Sequence, residues 1–198
     1  MCRPSVTLTK EGSRIKKHKY DLMDKAVGIV LLFLCVVSAG QLIAQTNNNP
    51  KTFNYQSGDI LFQDLDCGGL CTAIETVTEG VDGKSFSHLG LVHIQHDSAF
   101  VIEAIGKEVQ LTPIHDFVFR NKDEKGNPKI LVTRLNKKYS DLNAKALEFA
   151  LAQFGVPYDD AFLYNNGSYY CSELIYDAFK SANEDEPFFE LMPMTFKD

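Results

Sequence analysis

SYYCSELIYDAF, residues 168–179, places a single cysteine where a helical pattern begins. Positions 171, 174, 175, 178, 179 and 182 are Cys, Leu, Ile, Ala, Phe and Ala, a stripe at helical spacing that buries one face of the segment, with the cysteine on it. Ser168 is spaced to cap the helix, which puts Cys171 in the first turn. Unpaired backbone N–H groups and the helix dipole favour a thiolate there. Cys171 therefore reads either as a small core hydrophobe or as a nucleophile. The second reading needs a base.

Residues 87–106, SHLGLVHIQHDSAFVIEAIG, supply a candidate. Two runs rich in Val, Ile and Phe flank His96-Asp97-Ser98, the pattern of a β-hairpin. With a two-residue loop, cross-strand partners have opposite sequence parity, so His88 and Glu103 share a face. Pairing Gly90 with Glu103 makes His88 the diagonal neighbour of Glu103, within side-chain reach. A carboxylate inside FVIEAI is costly unless paired, and a histidine would supply the partner. The alternative puts Glu103 on a solvent face and leaves His88 as an ordinary strand-end residue; spacing alone does not choose. His93 has the opposite parity, His96 lies in the turn, and His115 follows Pro113 in a short helix at the surface.

The remaining pattern outlines one domain. A chain of 198 residues with 44% apolar content can bury one core. GDILFQ (58–63) reads as a turn and a short buried strand, and Leu70 to Thr78 as a helix ended by Gly80. EVQLTP and KILVTRL are further strands, and Pro113 to Phe119 is a short helix. Asp141 to Phe154 is a helix with Ala144, Leu147, Ala150 and Leu151 on one face. Strands in the middle and helices at both ends indicate an α+β fold.

Charge is divided unevenly: residues 1–44 carry a net +4 and residues 45–198 a net −10, which together give the chain's −6. The acidic part suits neither nucleic acid nor an anionic membrane surface. The basic part has the form of a secretory signal: Lys25 precedes an unbroken apolar run from Ala26 to Val37, and small residues follow at Ser38, Ala39, Gly40 and Ala44. Translation starting at Met23 would give the short charged lead of such peptides. If the segment is not cleaved it becomes a single membrane anchor, and the membrane contact is limited to it. The expected organisation is a signal region over 1–44, a polar linker over 45–54 and one domain over 55–198. Export places the mature protein in the periplasm or cell envelope.

Removal of the signal region leaves Cys67, Cys71 and Cys171 in an oxidising compartment. A four-residue spacing inside a helix suits disulfide geometry badly, so Cys67 and Cys71 are expected as small residues at a helix start rather than as a pair. No second cysteine pair or close histidine pair completes a zinc ligand set, and neither metal nor cofactor is expected.

GDILFQ, SHLGLV, FVIEAI, VQLTPI, GVPYD and YYCSELIYDAF occur in this order and resemble the signature blocks of the YiiX-type permuted papain-like amidases, relatives of the NlpC-type cell-wall peptidases. The resemblance spans Gly58 to Phe179. It implies a circularly permuted papain-like fold, in which a small antiparallel sheet or barrel packs against the helix that carries the cysteine. It also implies Cys171 as nucleophile, His88 as general base and then acid, and Glu103 as the residue that fixes the imidazole tautomer. Tyr158 in GVPYD resembles a tyrosine near the family's pocket, and Gln63 is a candidate side-chain donor to the oxyanion. DCGGLC departs from the Ser- and Arg-rich segment expected after the first strand. Three functions are compatible with these residues: an exported cysteine hydrolase of amide bonds in cell-wall peptides or lipid-linked amides, a lipid-type thioester acyltransferase, and an inactive binding module.

Overall fold

Alternating β-branched and aromatic residues build the strands, and a computed structural model of the chain shows how they are ordered. It describes residues 53–78 and 80–191, together with the backbone of Leu42–Ala44. The apolar run from Ala26 to Val37, Met23, Cys2, Cys35 and most of the expected linker lie outside the described residues. Among the described residues no helix is long and apolar enough to cross a membrane.

The elements are β1 (Leu42–Ala44), β2 (Ile60–Gln63), α1 (Gly69–Val77), β3 (His88–Gln95), β4 (Ser98–Ile105), β5 (Glu108–Pro113), α2 (Ile114–Phe119), β6 (Ile130–Leu135), α3 (Leu142–Ala152) and α4 (Cys171–Ala182). One sheet has the order β1-β6-β2-β3-β4-β5, with antiparallel neighbours throughout. The β3–β4 hairpin turns through His96 and Asp97, with His96 at φ 53°. The α+β expectation and its helix packed on a small antiparallel sheet are met. The sheet also extends one strand further toward the N-terminus than the pattern suggested, because Leu42–Ala44 pair with Thr133–Leu135.

The strand alternation divides the core. Ile60, Phe62, Leu89, Leu91, Ile102 and Ala104 point to one face, where Leu174, Ile175, Ala178 and Phe179 of α4 cover them. Leu61, Val92, Val101 and Val132 point to the other, under Phe117 and Val118 of α2. All six residues of the predicted α4 stripe are buried. The face of α3 is displaced by comparison: Ala146, Leu147 and Ala150 are buried while Ala144 is exposed. The true stripe runs 143-146-147-150 at helical spacing, and the polar Asn143 at its start disguised it.

Phe53 and Asn54, assigned to the linker from sequence, belong with the domain. The Phe53 and Tyr55 rings lie 4.9 Å apart, and Arg134 donates to the Asn54 carbonyl while pairing with the buried Asp59.

Cys67 and Cys71 form a disulfide, which corrects the expectation of two unpaired residues. The objection applied to two cysteines within one helix. Here α1 begins only at Gly69, and Gly68, at φ 81°, folds the chain back so that the two α-carbons come within 5.4 Å.

Candidate active site

His88 is the first residue of β3, so its ring stands at the end of the ladder, where a group from the helical layer can meet it. The β3–β4 register runs from Gln95 opposite Ser98 to Leu91 opposite Ile102. One pair further, it sets Gly90 beside Glu103. No side chain fits at Gly90: a Cβ there would lie 3.0 Å from the Ile102 carbonyl oxygen and 3.2 Å from the Glu103 Cβ. Glu103 crosses this space, and its Oε2 meets His88 Nε2 at 2.5 Å. The solvent-face alternative is excluded, since Glu103 is 0% exposed and His88 4%.

Glu103 has two further partners. Thr112 Oγ1 donates to Oε1 at 2.5 Å. Arg120 grips both oxygens, Nη2 donating to Oε1 at 2.6 Å and Nη1 to Oε2 at 3.1 Å. Burial by itself would raise the carboxyl's pKa, but the hydrogen bonds and charges of His88 and Arg120 outweigh it and hold Glu103 at about 2. Burial likewise pulls the imidazole down. Its hydrogen bonds to Cys171 and Glu103, with their charges, lift it instead to about 9. With Nε2 committed to Glu103, Nδ1 is the nitrogen left for the thiol. His88 thus lies between a carboxylate and a sulfur, both of which favour its protonated form.

Cys171 is the first residue of α4 and is buried. Ser168 does not cap this helix. The N-cap is Tyr170, extended at φ −94° and ψ 167°, because the bridge between Tyr158 and Tyr169 holds the preceding residues in extended form. No side chain caps Tyr170's helix, and its first backbone bond runs from Leu174 N–H to the Tyr170 carbonyl. The N–H groups of Cys171 and Ser172 therefore precede the helical ladder, available to an oxyanion beside the sulfur.

Glu173, in the first turn of α4, is fully buried and accepts the Asn165 N–H at 2.8 Å. Burial raises its pKa from 4.5 to about 8; the Asn165 N–H works against this and Asp177 and Asp159 add to it. The folded chain keeps a proton that the unfolded chain has released above pH 4.5. Stability therefore declines as pH rises through the window from 4.5 to 8 on account of this group. Glu173→Gln, which cannot ionise, is expected to gain stability relative to the parent as pH rises. Melting temperatures at pH 5, 7 and 9 check it, and a constant offset would refute the assignment.

Tyr158 is half-buried and near enough to Cys171 that, after burial, the sulfur's charge is the next cause raising its pKa. Its phenol keeps its proton and remains a donor. Gln63 departs from expectation: it is fully buried, its Nε2 donates to the Phe117 carbonyl at 2.6 Å, and its Oε1 accepts from Arg120 at 3.3 Å. That amide braces α2 and Arg120, so its geometry does not supply the oxyanion donor. His96 and His115 are exposed and His93 partly so. A groove of about 1080 Å³ bounded by Tyr55, Asp66, Glu75, Lys84 and Lys129 includes none of Cys171, His88 and Glu103.

Sequence reasoning missed Thr112 and Arg120. The parity rule that joined His88 to Glu103 also reaches Thr112, which pairs with Val101 two residues along β4. Arg120 follows the end of α2, where no periodicity marks it.

A family model described as permuted papain-like amidase enzyme, YaeF/YiiX, peptidase family C92, matches residues 54–198. The uncharacterized protein YiiX of Escherichia coli is 30% identical over 128 residues, which cover 64% of this chain and 58% of the relative. The crystal structure of metalloprotein YiiX from Escherichia coli O157:H7 superposes with a TM-score of 0.52 at 29% identity, covering 64% of this chain and 66% of that one. This chain thus spans less than two thirds of either relative's length. Among its described residues no group of three or more His, Cys, Asp and Glu side chains is placed to hold a metal ion. The carboxylate of Glu103 is already shared by Arg120, Thr112 and His88, so these residues do not fit one. With the cysteine, histidine and glutamate brought together on this sheet and helix, and the match running the length of the domain, the chain belongs to the family of YaeF/YiiX-type permuted papain-like amidases.

Proposed function

We propose that this protein is an exported cysteine hydrolase that cleaves an amide bond, in a cell-wall peptide or a lipid-linked amide, through an acyl-enzyme thioester. The observation that carries the reading is that the buried His88 meets Glu103 through Nε2 and lies beside the Cys171 sulfur, the two together raising it to about 9. A buried imidazolium of that affinity favours a thiolate beside it.

The thiolate attacks the amide carbonyl, forming a C–S bond and an oxyanion. The Cys171 and Ser172 N–H groups are placed to receive that charge, with the Tyr158 hydroxyl as a further donor. As the C–N bond breaks, His88 gives its proton to the departing amine. The neutral imidazole then takes a proton from water, hydroxide adds to the thioester, and the C–S bond breaks to release the acid and restore the ion pair. Glu103 keeps the imidazole in one tautomer throughout.

The test is to incubate the protein with acyl-amide and muropeptide libraries, quench in acid and map the cysteine peptides by mass spectrometry. An acyl group on Cys171 that is passed to water supports the hydrolase. Passage to an amine or lysolipid instead identifies an acyltransferase, and absence of any adduct, with Cys171 labelled by a thiol probe no faster than in denatured protein, identifies a binding module.

Export is supported by the apolar run after Lys25 and by the Cys67–Cys71 disulfide, since such bonds persist in oxidising compartments. Val37 and Ala39 are spaced for cleavage after Ala39, which leaves Leu42–Ala44 to pair with β6. The osmotically released protein is expected to start at Gly40. Full-length protein found only in the detergent fraction would favour an anchor.

A further inference from the structure

We infer that Arg120 is a positioning residue for the triad: it locks Glu103 in the rotamer that meets His88 and shares the carboxylate's charge with the imidazolium. The inference rests on the reading of Cys171 and His88 as a coupled pair.

The two oxygens of Glu103 are divided among three donors. Oε2 serves His88 and Arg120 Nη1, while Oε1 serves Thr112 and Arg120 Nη2. The guanidinium lies along the carboxylate edge in a fork, and rotation of Glu103 away from His88 would break both of its bonds at once. The fork is itself held, by the Gln63 Oε1 and by the Phe117 ring 5.3 Å from the guanidinium carbon. Phe117 also lies 5.9 Å from the His88 ring, so one aromatic side chain backs both cations. Arg120 is 25% exposed and is where the buried charge line reaches solvent.

The line alternates in sign from guanidinium to carboxylate to imidazolium and ends on the Cys171 sulfur. Each charge stabilises its neighbours and opposes the next but one. Glu103 raises the proton affinity of His88, and Arg120, by neutralising part of Glu103, limits that rise. An imidazole with no such limit would hold its proton too firmly to pass it to a departing amine.

Alkylation of Cys171 by iodoacetamide as a function of pH tests this without a substrate. The parent is expected to show two steps, the upper one marking loss of the His88 proton. Arg120→Gln removes the opposing charge while its amide and Thr112 can still donate to Glu103 and keep it against His88, so the upper step should move alkaline by about one unit. Arg120→Lys keeps the charge and loses the fork, so the step should stay while alkylation slows several-fold. A role confined to stability would lower the melting temperature of Arg120→Gln and leave its upper step in place, which would overturn the inference. If Arg120→Gln does not fold, Arg120→Lys decides: an unchanged step with an unchanged rate also overturns it. A parent protein with the single step of an ordinary thiol would contradict the coupled pair itself, whatever the Arg120 variants do.

Discussion

Cys171→Ala and His88→Ala are each expected to lower turnover by on the order of a thousandfold or more, and the double variant to be little worse than either single one. The sulfur is buried at the first residue of α4, and its reactive form depends on a proton held by His88. Without His88 the thiol has no acceptor for its proton and no acid for the leaving group. Without Cys171 the imidazole has nothing to activate. One function is lost in both cases, so the free-energy costs do not add. Steady-state kinetics of the three variants on a substrate found by the library screen would check this; additive losses would mean that the two residues act independently.

Glu103→Gln is expected to reduce activity by on the order of tenfold to a thousandfold. The amide presents an oxygen and an NH₂ where the carboxylate presents two acceptors. Arg120 and Thr112 both donate toward Oε1, so the oxygen is drawn to them and the NH₂ is turned to His88. Nε2 of His88 must then accept, which places the ring proton on Nδ1, facing the sulfur as a donor only. That tautomer cannot take the thiol's proton. The imidazolium also loses one of the two groups that raise it, while the burial that lowers it remains. From sequence, because glutamine keeps the shape and can still accept a hydrogen bond, a stability change below about 1 to 2 kcal/mol is expected. Full burial and a second cation revise this upward, to about 3 to 5 kcal/mol, because an unpaired charge is left inside. Chemical denaturation alongside kinetics separates the two effects; wild-type activity in a destabilised but folded variant would remove Glu103 from the triad.

The parts of this architecture set by local chemistry were legible in the sequence. Two-residue parity placed His88 and Glu103 on one face, and helical spacing placed Cys171 on a buried stripe, because both rules depend only on backbone geometry. What depended on tertiary closure was not. Ser168 has the chemistry of an N-cap, yet the bridge to Tyr158, distant in the pattern, keeps Tyr169 and Tyr170 extended and delays the helix to Cys171. The Cys67–Cys71 bond turned on a helix beginning two residues later than the first cysteine. Arg120 is invisible to periodicity, and only the need of a buried carboxylate for more than one cation would have called for it. Gln63 reads from sequence as a donor to the oxyanion, but Phe117 of α2 and Arg120 just beyond it commit both ends of its amide.

His88 is expected to carry a proton at neutral pH because it lies between Cys171 and Glu103. Nitrogen-detected NMR titration of the His88 ring in the intact protein measures this directly, with no substrate. The expected result is an imidazolium that persists through neutrality and loses its proton near pH 9, with the midpoint falling in Cys171→Ala. A ring that titrates at or below the ordinary histidine value of 6.5, unaffected by removal of the cysteine, would contradict it.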